Sequence, residues 1–369
     1  MANTEIQSKT IAFLKLPLII GVVFIHSYAN NIILNGVDLL EGQDYIYFNT
    51  IQNLLSIVIG GICVPAFFFI SGFLFYYNYN VLSFDFYKKK ILNRVNTLLI
   101  PYIVWNLIIL FFYLVAQNIP LIRDLFSGNS RLISHYDFSD YLKAFGIGSF
   151  PIHYQFWFIR DLFIFSLLSP FIGFLILRFG IKYFVIISFL WLLNINTEIG
   201  TEGFLFFSFG ALFSLKRKNI LDVICKYKST LMLSYISIAF IDLITIHFNY
   251  NVFIHKLGIL IGVLFSFNLI ASFLKDKGLD NAKNYANYSF VLYTIHEPLL
   301  TFIKKALYTK YNPTKEIEII GIYILVPIII MIIAFYVYKL FLRFPLVIKN
   351  TLGIRSSNYL NLSNKQQII

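Results

Sequence analysis

The sequence predicts an all-α, polytopic integral membrane protein with about ten transmembrane helices. Apolar residues make up 58% of the 369 residues, charged residues make up only 13%, and the mean hydropathy is +0.74. A soluble protein cannot cover its surface with so few charged side chains, so a soluble fold, a disordered chain and a disulfide scaffold are excluded. Cys63 and Cys225 fall in unrelated segments, and we do not expect them to form a disulfide.

The predicted spans are the apolar runs that reach, or nearly reach, the roughly 20 residues needed to cross a bilayer. The fifth and sixth runs are shorter than this length. In chain order the runs are 11–29, 50–77, 95–117, 155–177, 181–196, 201–216, 228–248, 252–274, 287–308 and 317–343. We assign 1–345 to one membrane domain and 346–369 to a polar cytoplasmic tail.

Charges in the connections predict the topology. Lys and Arg concentrate in alternate connections, such as 88–94 and 216–228, and in both terminal segments, whereas Lys256 and Lys304 are assigned to the opposite side. Positive residues accumulate on the cytoplasmic side of membrane proteins, so both termini are expected there. The net charge of +12 has the same explanation. It does not indicate nucleic-acid binding, because no platform of stacking aromatic residues accompanies it.

The longest connection, 118–154, falls on the predicted outer side. It is rich in Gly and Pro and carries scattered charges. Loops of this length usually have a function or are disordered. The functional interpretation is a lid over an outward-facing substrate.

Two ionisable residues of the first span are functional candidates, because burying such groups in lipid is costly. Lys15 and His26 are 11 residues apart. This spacing returns to the same helix face and separates their Cα atoms by about 16 Å along the axis. The simpler alternative is that Lys15 snorkels to the cytoplasmic interface and that His26 lies at the outer one.

The fourth and ninth spans also contain ionisable residues. Arg160 and Asp161 open the fourth span. Because adjacent helical residues diverge by about 100°, we expect each to pair with another helix rather than with its neighbour. His296 lies in the ninth span beside Pro298, which interrupts the backbone hydrogen bonds there. A single buried histidine is commonly a packing residue, but two of them with Lys15 favour a buried polar site.

Five segments in chain order give the sequence a resemblance to a known family. They are Lys15 to His26, Phe67 to Gly72, Lys90 to Tyr102, Trp157 to Pro170 and Tyr293 to Pro298. Together they resemble the membrane-bound acyltransferase type 3 family, which includes polysaccharide O-acetyltransferases. Two positions depart from the family pattern. Lys15 stands where Arg is more usual, and Thr97 fills the second basic position of an Arg-X-X-Arg pattern that begins at Arg94.

The resemblance implies that cytoplasmic acetyl-CoA donates an acyl group to a hydroxyl of a cell-surface or lipid-linked saccharide. It implies a bacterial cytoplasmic (inner) membrane protein surrounded by membrane lipid, with no metal. His26 is the expected general base, because an imidazole titrates near neutral pH. Direct transfer and a ping-pong route through acylated His26 both stay open. The expected site residues are His26, Arg160 and His296 for catalysis, Lys15, Ser71, Gly72 and Arg94 for the donor, and Trp157 and Tyr293 for the acceptor.

Two other functions use similar features. A transporter or flippase of a lipid-linked sugar would use the same buried polar residues as a pathway, although the sequence shows no inverted repeat. A polysaccharide polymerase would also have many spans and a long outer loop, but it would need no CoA. A purely structural membrane protein would have little reason to bury Lys15, His26 and Arg160.

Overall fold

The computed structural model describes residues 3–29, 31–34, 37–38, 40, 45–77, 83–120, 132–194, 200–277, 282–345 and 351–352. These residues are helical apart from connections and a two-residue antiparallel hairpin of β1 (Ile33–Leu34) and β2 (Val37–Asp38). The chain forms two compact units. Unit 1 comprises Met1–Asn80, Gly173–Ile195 and Thr201–Leu340, and unit 2 comprises Val81–Ile172, Asn196–Gly200 and Phe341–Ile369.

The described residues form α-helices in each of the predicted apolar runs, and three more, at Phe84–Arg94, Phe138–Ala144 and Ile220–Ile224, in segments predicted as connections. In chain order they are α1 (Asn3–Ser27), α2 (Ile46–Gln52), α3 (Cys63–Tyr76), α4 (Phe84–Arg94), α5 (Ile100–Gln117), α6 (Phe138–Ala144), α7 (Trp157–Phe179), α8 (Ile181–Leu192), α9 (Thr201–Leu215), α10 (Ile220–Ile224), α11 (Lys228–Thr245), α12 (Asn251–Lys277), α13 (Ala282–Tyr311) and α14 (Glu316–Phe341). A π-helical segment, Asn53–Ile59, and a 3₁₀ turn, Gly60–Ile62, join α2 to α3. A π-helical turn, Val95–Leu99, joins α4 to α5.

Seven helices among the described residues are long and apolar enough to cross a membrane, which supports a multi-pass membrane protein. They are Thr4–Ser27, Ile46–Tyr76, Phe84–Gln117, Tyr154–Phe179, Ile220–Thr245, Asn251–Lys275 and Glu316–Phe341. The second begins before the predicted residue 50 because α2 starts at Ile46, and the third begins before the predicted residue 95 because the π-helical turn Val95–Leu99 joins α4 to α5. Helices α8 and α9 are apolar but shorter. Helix α13 covers the predicted ninth span, but lysines and Glu297 interrupt its apolar run.

Glycine sets the closest helix crossing in unit 1. A Cβ placed on Gly72 of α3 would lie 1.9 Å from the carbonyl oxygen of Phe207 in α9, and one on Gly210 would lie 1.9 Å from that of Phe69. Both positions therefore require the absence of a side chain. Ser214 adds a hydrogen bond from its hydroxyl to the Phe73 carbonyl, 2.6 Å away. Small residues that allow such backbone approach are typical of membrane helix pairs.

Lys256 holds the end of the short helix α8. Its ammonium donates to the carbonyl oxygen of Trp191 and to the side-chain oxygen of Asn194, and it lies 5.3 Å from the Trp191 ring centroid. A cation is favourable here because the last carbonyls of a helix have no partners within the helix. Lys256 lies inside α12 and is only 7% exposed within unit 1, so its assignment to a connection was wrong, while its assignment to the outer side stays a prediction.

In unit 2 the long connection runs back along α5. The backbone N–H of Ile133 donates to Gln117 at 3.0 Å, and that of His153 donates to Asn106 at 3.2 Å. These two attachment points are about 16 Å apart along the helix. Between them, Asp137 and Asp140 form a capping box at the start of α6. The described part of the connection is thus held by protein hydrogen bonds. Residues 121–131, and most of the predicted tail 346–369, lie outside the described residues.

Candidate active site

His26 lies one residue before the end of α1, where the π-helical segment Asn53–Ile59 holds its neighbours. Ser56 donates to the Phe24 carbonyl at 2.5 Å and receives a hydrogen bond from the Tyr323 hydroxyl at 2.7 Å. Tyr28 donates to Asn53 at 3.2 Å. Segments of π-helix are frequent at functional sites. Here the segment fixes the backbone on both sides of a half-buried imidazole.

The His296 ring lies against His26, with ring centroids 5.1 Å apart. His296 is fully buried, and its Nδ1 lies 2.8 Å from the Tyr293 carbonyl and 3.3 Å from the Leu292 carbonyl. A carbonyl can only accept a hydrogen bond, so Nδ1 carries the proton. In the neutral ring, Nε2 then carries the lone pair. The Tyr293 ring also packs near His296, with centroids 6.0 Å apart.

Helix α13 breaks immediately after His296. Glu297 has extended backbone angles, φ −109° and ψ 138°, and Pro298 follows it. The extended angles of Glu297 confirm the predicted interruption at Pro298. Its cause is that proline has no N–H to donate and its ring clashes with the preceding turn. The Thr301 hydroxyl donates to the Glu297 carboxylate at 3.0 Å. Lys304, one turn further, interacts electrostatically with both Glu297 and His26.

Arg160 in unit 2 is bound to Asp161 and to the long connection. Its Nε donates to Asp161 at 3.0 Å, so the expectation that these neighbours would pair elsewhere was wrong. The Arg side chain is long enough to fold back across the 100° offset. Its Nη1 donates to the carbonyls of Gly146 at 2.9 Å and Ser149 at 3.0 Å. Gly146 has φ +79°, and a Cβ there would lie 2.7 Å from the Tyr102 hydroxyl.

The other predicted site residues are divided between the units. Lys15 is half-buried in α1, Ser71 is buried, and Gly72 lies at the α3–α9 crossing. In unit 2, Arg94 is half-buried at the end of α4, and Trp157 is half-buried at the start of α7. The structure therefore brings His26, His296 and Tyr293 into ring contact within unit 1. Arg94, Trp157 and Arg160 belong to unit 2.

A family model described as an acyltransferase domain, that of the acyltransferase type 3 family, matches residues 10–339. The chain belongs to the acyltransferase type 3 family. The match covers every residue assigned to the site and spans both units. The chain matches no curated protein and no solved structure.

The described residues of this acyltransferase contain a further buried ionisable pair, which the sequence analysis missed. Asp242 of α11 is 2% exposed, and its carboxylate accepts from Asn251 and from His255 Nδ1, each at 2.8 Å. The one sequence signal was an aspartate inside an apolar span, which is a functional candidate by default. Without the fold, nothing connected Asp242 to a histidine 13 residues later.

A cavity of about 280 Å³ in unit 1 of this acyltransferase does not include any predicted site residue. It lies near the start of α1, toward the end of the helix opposite His26. Its lining residues are Ile6, Leu221, Asp222, Cys225, Lys226 and Lys275.

Proposed function

We propose that this protein transfers an acetyl group from cytoplasmic acetyl-CoA to a hydroxyl of a cell-surface or lipid-linked saccharide. The family supports a membrane acyltransferase. The observation that carries the chemistry is the ring contact between His26 and His296. The proposal includes ten spans, both termini in the cytoplasm, a bacterial cytoplasmic membrane, and no metal.

In the proposed reaction His26 is the general base. The acceptor hydroxyl gives its proton to His26 while its oxygen attacks the thioester carbonyl carbon. The carbon–sulfur bond then breaks, and the CoA thiolate takes the proton back from the imidazolium. Base catalysis of this kind contributes about 10²–10⁴-fold. The Tyr293 carbonyl accepts the Nδ1 proton of His296 and holds the His296 ring against His26. This contact keeps the His26 imidazole in one orientation.

A two-step route uses the same residues. His26 first attacks the thioester carbonyl carbon and becomes acetylated as the carbon–sulfur bond breaks and the CoA thiolate leaves. The acceptor oxygen then attacks the acetyl carbon, the bond to the imidazole breaks, and the hydroxyl proton neutralises the thiolate. Incubation with acetyl-CoA in the absence of acceptor distinguishes the two routes. Peptide mass spectrometry would show acetyl on His26 in the two-step route and unmodified His26 in the direct one.

The remaining residues bind substrates in this proposal. Lys15 and Arg94 supply positive charge for the phosphates of CoA, since lysine acts as a point charge and arginine as a planar fork. Ser71 and Gly72 lie next to each other in α3 and line the donor side. Trp157 and Tyr293 present aromatic faces with a polar tip to the saccharide.

The test reconstitutes the purified protein in vesicles made with lipid-linked saccharides from a host membrane. We expect labelled acetyl to pass from acetyl-CoA to the saccharide fraction. His26→Ala should lower the rate at least about 100-fold, since it removes the base. The matched control is His247→Ala, which removes an exposed histidine of unit 1 and should leave the rate unchanged.

Two outcomes would contradict the proposal. Movement of the saccharide across the vesicle without consumption of acetyl-CoA would indicate a transporter. Normal transfer by folded His26→Ala would remove His26 from the reaction. In cells, loss of the O-acetyl proton signal from surface saccharide after gene deletion, restored by the wild type but not by His26→Ala, supplies the same test.

A further inference from the structure

Asp242 and His255 form a hydrogen-bonded pair inside unit 1, separate from the predicted site. Asp242 is 2% exposed, and its two carboxylate oxygens accept from Asn251 and His255. Asn251 also donates to the Asp242 backbone carbonyl at 3.0 Å. A buried carboxylate is tolerated only when such partners replace water. Asp242 of α11, itself bonded by Asn251 of α12, thus holds the His255 imidazole through Nδ1.

The other edge of the His255 ring faces Gly61 in the 3₁₀ turn Gly60–Ile62. A Cβ on Gly61 would lie 3.0 Å from His255 Cε1 and 3.2 Å from Nε2. These distances are tighter than an ordinary Cβ contact, so a methyl group at position 61 would press on the ring, and the ring can lie this close because residue 61 is glycine. Asp242 holds Nδ1 at the far edge. The imidazole projects from α12 and is therefore held between Asp242 of α11 and the 3₁₀ turn Gly60–Ile62.

A second neighbour of this turn is the end of α1. A Cβ on Gly60 would lie 2.7 Å from Ile25 Cγ1, and Ile25 directly precedes His26. The adjoining π-helical segment holds Phe24 through Ser56 and Tyr28 through Asn53. The segment from Asn53 to Gly61 thus contacts the last turn of α1 before His26 and Tyr28 just after it, and Gly61 of the same segment lies against His255.

We infer that His255, held by Asp242, is a positioning residue for His26 in acyl transfer. The inference rests on the proposed function, because His26 is the general base there. The ring of His255 sets how far the turn Gly60–Ile62 stands from α12, and this in turn sets where Ile25 and His26 lie. A misplacement of about 1 Å near reacting groups can reduce a rate about 100-fold.

The test is a double-mutant cycle of His255→Ala and Gly61→Ala. His255→Ala removes the ring, so kcat should fall about 10- to 100-fold while the KM for acetyl-CoA stays within about twofold. Gly61→Ala alone should also lower kcat, since its methyl group collides with the ring. In the double variant the methyl group occupies part of the vacated space, so kcat should recover at least about threefold over His255→Ala, because residues in contact are not additive.

Lys256→Met is the matched control. It removes a buried group next to His255 that bonds α8 rather than the glycine turn. It should lower thermal stability and leave kcat per folded protein within about twofold. Equal losses of kcat in His255→Ala and Lys256→Met would overturn the inference, because they would indicate general loosening. A cycle without recovery would also overturn it.

A second measurement separates this inference from the proposed function. Diethylpyrocarbonate modifies accessible imidazoles, and peptide mass spectrometry gives the modification rate of His26 alone. We expect His255→Ala to change this rate at least threefold and Lys256→Met to leave it unchanged. If the wild type does not transfer acetyl, the proposed function fails while this measurement still tests the positioning. An unchanged His26 rate in His255→Ala would overturn the positioning.

Discussion

The two units hold their key ionisable side chains in different ways. In unit 1 His296 has one ring nitrogen on a backbone carbonyl and its ring against His26. In unit 2 Arg160 uses Nε for Asp161 and Nη1 for two carbonyls of the long connection. The first arrangement is suited to accepting a proton. The second fixes a loop to a helix.

This difference shows that burial of a charged residue does not by itself indicate catalysis. Both Arg160 and His296 are costly to place in an apolar span. Arg160 recovers that cost through charge-assisted hydrogen bonds to groups of its own unit. A neutral imidazole costs less free energy to bury than a charged side chain. When Nδ1 donates to a carbonyl, as in His296, Nε2 is left with the lone pair that can accept a proton. Substitutions in the two units should therefore affect different measurements.

The largest expected effect is on the rate after His296→Ala. The substitution removes the ring that packs on His26 and orients it, so acetyl transfer per folded protein should fall about 100-fold, the loss that a misplacement of about 1 Å near reacting groups can cause. The rate is measured in vesicles with labelled acetyl-CoA. The control is Thr294→Val, which loses a buried hydrogen bond to the Val291 carbonyl and should change the rate less than threefold. A similar loss in both variants would reduce His296 to a packing residue.

Arg160→Met should have a smaller effect on the rate and a clear effect on the long connection. It removes the charged donor from Asp161 and from the Gly146 and Ser149 carbonyls, and charged hydrogen bonds contribute about 1.5–3 kcal/mol each. We expect the connection to open while the rate per folded protein falls less than about tenfold. This separates an architectural role from the catalytic role predicted from the sequence.

The measurement is the labelling of Ile147→Cys by a water-soluble maleimide, in a background with Cys225→Ser. Ile147 is 60% exposed, whereas Cys63 is buried and should not react. Labelling should become faster in Arg160→Met. Unchanged labelling together with a rate loss as large as that of His26→Ala would instead place Arg160 in the catalytic step, and the contrast between the units would disappear.

Much of the helical architecture follows from the sequence, because long apolar runs have one solution in a membrane. The early start of the helix at Phe84 could not be predicted, since the polar residues Lys88 to Arg94 resemble a connection. The sequence analysis was also wrong to expect that Arg160 and Asp161 would not pair with each other. Periodicity gives the direction of Cα–Cβ bonds but not the path of a long flexible side chain.

The site shows the same limit. His26 and His296 were predicted as site residues because each is an ionisable residue in a span. Their ring contact depends on how α1 and α13 pack, which the sequence alone does not give. The pair of Asp242 and His255 was missed, because each lies near a helix end and their relation depends on how α11 and α12 pack. Gly72 was assigned to the donor site, yet the structure also gives it a packing role against Phe207.

The smallest expected effect is a loss of thermal stability at Gly72, which has both a predicted donor-site role and an observed packing role. A Cβ at Gly72 would lie 1.9 Å from the Phe207 carbonyl oxygen, so Gly72→Ala should force α3 and α9 apart. Overpacking of this kind costs about 1–3 kcal/mol. Thermal unfolding in detergent should show a lower Tm for Gly72→Ala. Gly321→Ala in α14 is the control, since a Cβ there meets nothing within 4 Å and alanine favours the helix by about 1 kcal/mol. A large rise in the KM for acetyl-CoA with an unchanged Tm would instead favour a direct contact of Gly72 with the donor.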